Sequence, residues 1–194
     1  MRFLGMDHLR QMKKGWKKEG WKLFSWKKQA RKEPTALDRM KALFEQEKIP
    51  YQLISHSEAH TAPELAILIH APGREVAKVV IIQADGRYVM AVLPAHRQVH
   101  LTRFAQVAGA KRISLAEEAE IRKLFPDCEP GAMPPLGNLY GLSVYVEESL
   151  AREPVIFFPA GTHREVIKMR FGDFQRLARP TVAYFALETL KRAV

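Results

Sequence analysis

The chain has 194 residues, 47% of them hydrophobic and 27% charged, which is enough for one globular domain with a full core. Its single cysteine, Cys128, excludes an internal disulfide and favours a reducing compartment, so we expect a cytoplasmic protein. Neither a transmembrane segment nor a signal peptide is expected, because no apolar run reaches the roughly 18–20 residues that span a bilayer and no apolar segment follows the basic N-terminus.

The net charge of +10 is concentrated at the N-terminus. Residues 1–33 carry eleven Lys/Arg against three Asp/Glu, whereas the remaining residues carry twenty against eighteen. Trp16, Trp21 and Trp26 are each followed by lysine in this basic segment. We predict a flexible arm over 1–34 and a domain over 35–194. The arm is compatible with a solvated tail, with nucleic-acid contact through lysine and indole, or with attachment to an anionic membrane surface.

The first half of the domain contains clear element signals. Thr35 predicts the start of a helix over 36–48, and a short strand is predicted over 51–54. Thr61 followed by Glu64 forms a capping box that predicts a helix over 62–70. The clearest element is a β-hairpin over 75–94, whose two apolar, β-branched runs flank the Asp-Gly turn dipeptide at 85–86.

The second half alternates helices and strands irregularly. We predict helices over 102–109 and 181–192, and a short helix that begins at residue 172. A further helix is predicted to end at Leu124, and its start is indicated by Ser114 and Glu117 as a capping pair. Strands are predicted over 142–148, 154–160 and 165–169. The alternation indicates a mixed α/β domain.

Most familiar catalytic motifs are absent. The sequence has no P-loop, G-x-G-x-x-G, H-E-x-x-H, C-x-x-C or G-x-S-x-G pattern. His56 and His60 are spaced by four residues, but they precede the capping box in a predicted loop, so we expect no metal there. No cofactor is expected either.

Lys78 is the first candidate functional residue. It interrupts the apolar strand "VAKVVII", and an unpaired lysine is costly to bury. Two interpretations stay open: a lysine at the strand edge that reaches solvent, or a lysine that lines a pocket and binds an anionic or ester-bearing ligand.

The stretch "LFPDCEPGAMPPLGNLYG" over 124–141 is the second candidate. Its glycines leave backbone amides uncovered, and its prolines stiffen the free loop. Such a loop can present N–H groups to a carbonyl or oxyanion; the alternative is a rigid structural turn. Cys128 lies in this stretch, but no neighbouring group is arranged to activate it, so we expect a buried or bystander thiol.

The connection "AGTH" over 160–163 is the third candidate. A histidine at a strand end beside glycine and threonine can orient a water or a ligand hydroxyl. From spacing alone, an exposed turn histidine is an equally good interpretation of His163.

These motifs resemble a known family. Lys78 in a hairpin strand, "GAMPPLG" before a strand and "AGTH" before "VIKM" occur in this order in the YbaK-like aminoacyl-tRNA deacylases, which include ProX-type proteins and the editing domain of some prolyl-tRNA synthetases. The resemblance covers residues 50–180 and not the arm. It implies an α/β fold, a single domain with a mixed, barrel-like sheet flanked by helices.

The resemblance also implies roles for individual residues. Lys78 would contact the terminal nucleotide or the carbonyl region, the amides of the G-x-x-x-P loop from Gly131 to Pro135 would hold the aminoacyl carbonyl, and His163 would be the late histidine. Many members carry Thr or Asn after the lysine, where this chain has Val79, a departure that bears on amino-acid specificity. Further substrate contacts are predicted from Thr61, Val79, Ala132, Met133, Pro134, Pro135, Gly137, Gly161 and Thr162.

The function that the resemblance implies is metal-independent hydrolysis, in trans, of the ester in a mischarged aminoacyl-tRNA. An aminoacyl-tRNA synthetase is a second candidate partner. Because the ester is already activated, hydrogen-bond donors and a positioned water or substrate group suffice chemically. The alternative is a non-catalytic module on the same fold that binds tRNA, a synthetase or a membrane surface.

Overall fold

A computed structural model describes residues 33–188 of the chain. The predicted basic arm therefore lies outside the described residues, except for its last two positions. Helices α1 to α6 span Ala36–Gln46, Ala62–Leu68, Leu101–Ala108, Glu118–Leu124, Glu148–Ala151 and Phe171–Ala178, and a 3₁₀ helix spans Gly137–Tyr140. Strands β1 to β10 span Gln52–Ser55, Ala77–Ala84, Arg87–Pro94, Arg97–Val99, Ile113–Leu115, Ser143–Glu147, Val155–Pro159, Glu165–Arg170, Thr181–Ala183 and Ala186–Glu188.

The strands form a mixed α/β architecture, as predicted. Five strands lie in the order β5-β2-β3-β6-β9, with antiparallel pairs around the β2–β3 hairpin and parallel pairs from β3 through β6 to β9. A second sheet is antiparallel in the order β1-β8-β7, and β4 pairs with β10. A bridge between Val76 and Phe157 joins the two larger sheets just before β2 begins.

The main apolar core lies between these sheets and the helices that cover them. Its fully buried members include Met40, Phe44, Met90, Leu136 and Phe174. Helix α1 contributes the first two because its apolar residues recur at intervals of three to four positions. Within residues 33–188, the helices are too short and too polar to cross a bilayer.

Two predicted helix starts are confirmed by their caps. The Thr35 side chain accepts a hydrogen bond from Asp38 N–H at 3.2 Å, and Thr61 accepts one from Glu64 N–H at 3.3 Å. In each case the carboxylate three residues on bonds back to the backbone of the cap. The Asp85-Gly86 turn of the β2–β3 hairpin is also confirmed, with positive φ at both residues.

The predicted cap at Ser114 is wrong. Ser114 lies in β5, opposite Gln83 of β2, and α4 begins three residues later than predicted. The Glu117 N–H donates to the Glu120 carboxylate at 2.8 Å. The bond from the cap amide to the side chain three residues on therefore forms at Glu117 and not at Ser114. The apolar residues that flank Ser114 extend the sheet edge, and this pairing overrides the local capping signal.

The predicted helix over 181–192 is also wrong for the residues that the structure describes. Residues 181–183 form β9 beside β6, and 186–188 form β10 beside β4. The amides of Phe185 and Ala186 donate to the buried Glu147 carboxylate at 2.7 and 2.8 Å, so they are not available for helical hydrogen bonds. Residues 189–192 of that prediction lie outside the described residues.

Candidate active site

A cavity of about 180 Å³ opens where the two larger sheets meet. It lies between the start of β2, the segment from β1 into α2, and the loop between β7 and β8. Polar and apolar residues share its wall: His56, Ala59, His60, Thr61, Ala62, Leu65, Ala77, Lys78, Val79, Gly131, Pro159, Thr162, His163 and Glu165. The predicted residues Lys78, Gly131 and His163, far apart in sequence, therefore meet in one place.

Lys78 lies in the wall of this cavity. It is the second residue of β2, where it pairs with Leu93, and its side chain is half-buried. Its Nζ donates to the Ala95 carbonyl at 3.1 Å. Burial lowers the pKa of the Lys78 ammonium from its ordinary value. Protein groups thus compensate the charge of the ammonium only in part. The ammonium is therefore suited to bind an electron-rich ligand.

His163 is held in a defined tautomer. Its Nδ1 lies 2.9 Å from the Ala59 carbonyl oxygen, which can only accept, so Nδ1 carries the proton. In the neutral ring, Nε2 is then free to accept a hydrogen bond. The His163 amide donates to the Glu129 carboxylate at 2.6 Å. The ring also lies 4.7 Å from the His60 ring, centroid to centroid.

Gly131 reaches the cavity through a tight turn. The Ala132 amide donates to the Glu129 carbonyl at 2.9 Å, Pro130 occupies the second turn position, and Gly131 has φ of +88° at the third. This is the pattern of a type II turn, which explains the Pro-Gly pair in the sequence. A Cβ on Gly131 would lie 3.6 Å from Cε1 of His163. The Gly131 amide has no acceptor among the described residues.

Hydrogen bonds fix this turn to the His163 loop. The Glu129 amide donates to the Gly161 carbonyl at 2.8 Å, and the Gly161 amide donates to the Ala132 carbonyl at 3.0 Å. Gly161 has φ of +95°, and a Cβ there would lie only 2.6 Å from Cβ of Ala36 in α1. The first turn of α1 therefore packs directly against the His163 loop at Gly161.

Five predicted site residues lie away from the cavity wall. Ala132, Met133, Pro134, Pro135 and Gly137 are buried, and Met133 packs in the main core. A Cβ on Gly137 would lie 2.6 Å from the Leu142 carbonyl oxygen and from Val144. The loop is apolar because most of it is core. Of the loop residues predicted in the site, Gly131 alone lines the cavity.

The remaining predicted residues divide between two cavities. Thr61, Val79 and Thr162 line the same cavity as Lys78. Gly161 lines a neighbouring cavity of about 290 Å³, shared with Cys128 and Glu129. Thr162 belongs to the walls of both, and its hydroxyl donates to Glu165 at 3.3 Å.

Cys128 is poorly suited to act as a nucleophile. Its half-buried Sγ lies 3.3 Å from the Tyr140 hydroxyl and 3.9 Å from Oδ1 of Asp127. Burial raises the pKa of the Cys128 thiol to about 11, and it also raises the pKa of Tyr140. The thiolate, which is the reactive form, is therefore scarce at neutral pH.

The sequence alone did not identify several polar groups at this site. His60 and Glu129 contact His163, Glu58 lies beside His60, and Glu165 lines the cavity. His56 also lines the cavity, with Nδ1 2.6 Å from the Ser57 carbonyl oxygen. The spacing of His56 and His60 was the one available signal. Among residues 33–188, no group of three His, Cys, Asp or Glu side chains is arranged to hold a metal ion.

Known proteins are similar to this chain in sequence. The Escherichia coli K12 protein named multifunctional Ser/Thr-tRNA deacylase ProXp-y is 26% identical over 158 residues, which cover 76% of this chain and 90% of that protein. A proline–tRNA ligase of Staphylococcus saprophyticus is 30% identical over 87 residues, which cover 45% of this chain and 15% of the ligase.

A solved structure supports the fold independently. It is assigned as a trans-editing enzyme for prolyl tRNA synthetase and superposes with a TM-score of 0.70 at 19% identity, over 78% of this chain and 97% of that one. A family model described as the aminoacyl-tRNA editing domain matches residues 56–177, which is 122 of the 194 residues and includes every residue that lines the cavity. The chain therefore belongs to the family of aminoacyl-tRNA editing domains.

Proposed function

We propose that this protein is an aminoacyl-tRNA deacylase that hydrolyses the ester of mischarged tRNA in trans. The observation that carries the proposal is the convergence of Lys78, Gly131 and His163 on one small cavity, in a chain of the editing-domain family. The Escherichia coli relative, named a Ser/Thr-tRNA deacylase, supports the same reaction class. Because charged tRNA is the substrate, we infer a cytoplasmic site of action.

Each of the three residues has a role in this proposal. The Lys78 ammonium attracts the carbonyl oxygen or a phosphate of the terminal nucleotide, because its partial burial reduces the screening of its charge by solvent. The Gly131 amide donates to the carbonyl oxygen as it becomes an oxyanion; one such donor contributes about 3–4 kcal/mol in other enzymes. Nε2 of His163 accepts a hydrogen bond from the attacking water.

The wall of the cavity suits a small acyl group. Ala62, Leu65, Ala77 and Val79 provide apolar surface on one side, next to the polar groups described above. We therefore propose esters of small amino acids, such as alanine, serine, threonine and cysteine, as the first substrates to test. A contact with a synthetase and a contact between the arm and tRNA stay predictions from the sequence.

The test is single-turnover hydrolysis of a panel of aminoacyl-tRNAs by the native chain and by Lys78→Ala. Lys41→Ala is the matched control, since Lys41 is exposed on α1 and lies outside this cavity. We expect one or more small esters to be hydrolysed, at least about 100-fold more slowly by Lys78→Ala and at the native rate by the control. Absence of hydrolysis by a folded native chain that still binds tRNA would favour the non-catalytic binding module instead.

A further inference from the structure

His60 stands at the cavity with a carboxylate beside it. Nε2 of His60 lies 3.2 Å from Oε1 of Glu58, and Oε2 of Glu58 lies 2.5 Å from an amino nitrogen of Arg164. Arg164 thus fixes the Glu58 carboxylate against the imidazole. All three side chains are partly exposed, His60 at 66% and Glu58 at 44%, so the imidazole is accessible from the cavity mouth.

The position of the His60 ring is set from two other directions. The His60 amide donates to Oε2 of Glu64 at 3.1 Å, as part of the cap of α2. The ring itself lies 4.7 Å from the His163 ring, at an interplanar angle of 59°. Its Nδ1 makes no hydrogen bond within residues 33–188. With Nε2 directed at Glu58, Nδ1 is the nitrogen left to accept a proton.

We propose that His60, assisted by Glu58, is the general base of the deacylation reaction. The inference rests on the proposed function and adds a catalytic residue to it. Water attacks the ester carbonyl carbon, and its proton passes to Nδ1 of His60. The bond between the carbonyl carbon and the ribose oxygen then breaks, and the imidazolium returns the proton to that oxygen. The products are the free amino acid and the uncharged tRNA, with no other reactant.

The two imidazoles differ in what lies behind them. The Nδ1–H of His163 faces a neutral carbonyl, whereas His60 has a carboxylate beside its second nitrogen. A carboxylate stabilises the imidazolium that forms during proton transfer, as the aspartate does in a Ser-His-Asp triad. An exposed pair gains little from this in water, but a tRNA end bound over the cavity would exclude water and strengthen the interaction. His163 is then the residue that orients the water.

Other charged groups face the same region. Arg164 neutralises part of the Glu58 charge, Glu64 lies behind the His60 backbone, and Lys78 and Glu165 line the cavity. A pH profile would therefore combine several titrations. Rescue by an added base reports on proton transfer more directly, because an external imidazole can replace a missing imidazole but not a missing structural contact.

The experiment measures single-turnover hydrolysis of a substrate from the panel by the native chain, His60→Ala, Glu58→Gln and His163→Ala. We expect His60→Ala to lower the rate constant about 100-fold or more, with tRNA affinity within about threefold, and added imidazole to restore at least about a tenth of the native rate. Glu58→Gln should lower the rate constant about tenfold without rescue. His96→Ala is the matched control, an exposed histidine outside the cavity.

The outcomes separate the two proposals. A native chain without activity on any ester overturns the proposed function together with the base. A native rate for a folded His60→Ala, or a loss of affinity at an unchanged rate constant, overturns the role of His60 alone. Rescue of His163→Ala but not of His60→Ala would also overturn it, because it would assign the proton transfer to His163.

Discussion

At the scale of single residues, Lys78 places a positive charge in the cavity wall, where partial burial disfavours the charged form. Burial lowers the pKa of Lys78, so at neutral pH the charged lysine destabilises the folded state relative to an apolar side chain of similar length. We predict that Lys78→Met abolishes hydrolysis but raises the free energy of unfolding by about 0.5–1 kcal/mol, measured by urea titration. Lys41→Met, at an exposed position, should change it little.

The pH dependence of this difference has a definite sign. The pKa of Lys78 is lower in the folded than in the unfolded state, so the unfolded state binds more protons between the two values, and stability rises with pH there. The advantage of Lys78→Met should therefore shrink as the pH rises through the lowered pKa. A variant less stable than the native chain would mean that the hydrogen bond to Ala95 outweighs the cost of burial.

The Cys128 thiol gives a second prediction at this scale. With a pKa of about 11, its thiolate fraction at pH 8 is about two orders of magnitude below that of a free thiol of pKa about 8.5. We predict slow alkylation by iodoacetamide, faster as pH rises, and a Cys128→Ala variant that hydrolyses at close to the native rate. Loss of hydrolysis by a folded Cys128→Ala would contradict the assignment of the reaction to water.

At the scale of elements, the contact between α1 and the His163 loop depends on a glycine. A Cβ at position 161 would meet Ala36, and the φ of +95° disfavours any other residue. We predict that Gly161→Ala destabilises the fold by about 2–3 kcal/mol. Gly141→Ala is the control, since φ there is +68° but a Cβ meets nothing within 4 Å. It should show the backbone cost alone, about 1–2 kcal/mol.

Equal losses in the two variants would show that α1 moves away at no cost, and that the contact does not hold the loop. If the contact matters as proposed, Gly161→Ala should also lower the hydrolysis rate at temperatures where the chain is fully folded, because His163 shifts with the loop. Circular dichroism during thermal unfolding and single-turnover assays measure the two effects separately.

Glu147 links β6 to the segment between β9 and β10 by hydrogen bonds. Its fully buried carboxylate accepts from the amides of Phe185 and Ala186. Replacing the carboxylate by an amide removes the charge that strengthens both bonds and turns one acceptor into a donor. We predict that Glu147→Gln destabilises the fold by about 1.5–3 kcal/mol and that hydrogen exchange at Phe185 and Ala186 accelerates more than at Val92. Uniform acceleration would instead indicate global destabilisation.

Sequence patterns predicted the elements where local and tertiary preferences agree. The Thr35 and Thr61 caps and the hairpin at Asp85-Gly86 are encoded within a few residues. The C-terminal segment was misassigned because its partner, Glu147, lies 38 residues away from Phe185 in sequence. The glycines of the 131–137 loop carry similar signals in the sequence, yet Gly131 lines the cavity and Gly137 packs beneath Val144.

At the scale of the whole molecule, the site is built from contacts between distant segments. Lys78 stands out as a charged residue within an apolar strand, and His163 as a histidine in the connection between two strands; the family resemblance gives each a role. Glu58 and Glu129 did not stand out, because their importance depends on Arg164 and on the His163 amide, both of which reach them only after folding. Patterns in a single sequence thus indicate which residues are unusual for their element. The residues that contact them in space can be identified only once the fold is known.

The charge asymmetry of the chain leads to a prediction about tRNA binding. Lys13, Lys14, Lys17 and Lys18 lie in the basic segment, which holds most of the excess positive charge. If this segment contacts phosphates, replacing all four by glutamine should reduce the slope of log affinity against log salt by about three, because each neutralised phosphate contributes about 0.7–0.9. Filter binding at several salt concentrations measures the slope, and single-turnover hydrolysis at saturation should stay unchanged.

A matched variant separates specific contact from overall charge. Lys41, Lys48, Lys111 and Lys123 are exposed on the domain, and their replacement by glutamine removes the same charge. We expect the salt slope of this variant to stay close to native. Equal slopes in the two variants would mean that the basic segment acts only through net charge. An unchanged slope in the first variant, together with its release from anionic vesicles that the native chain binds, would instead assign the segment to a membrane surface.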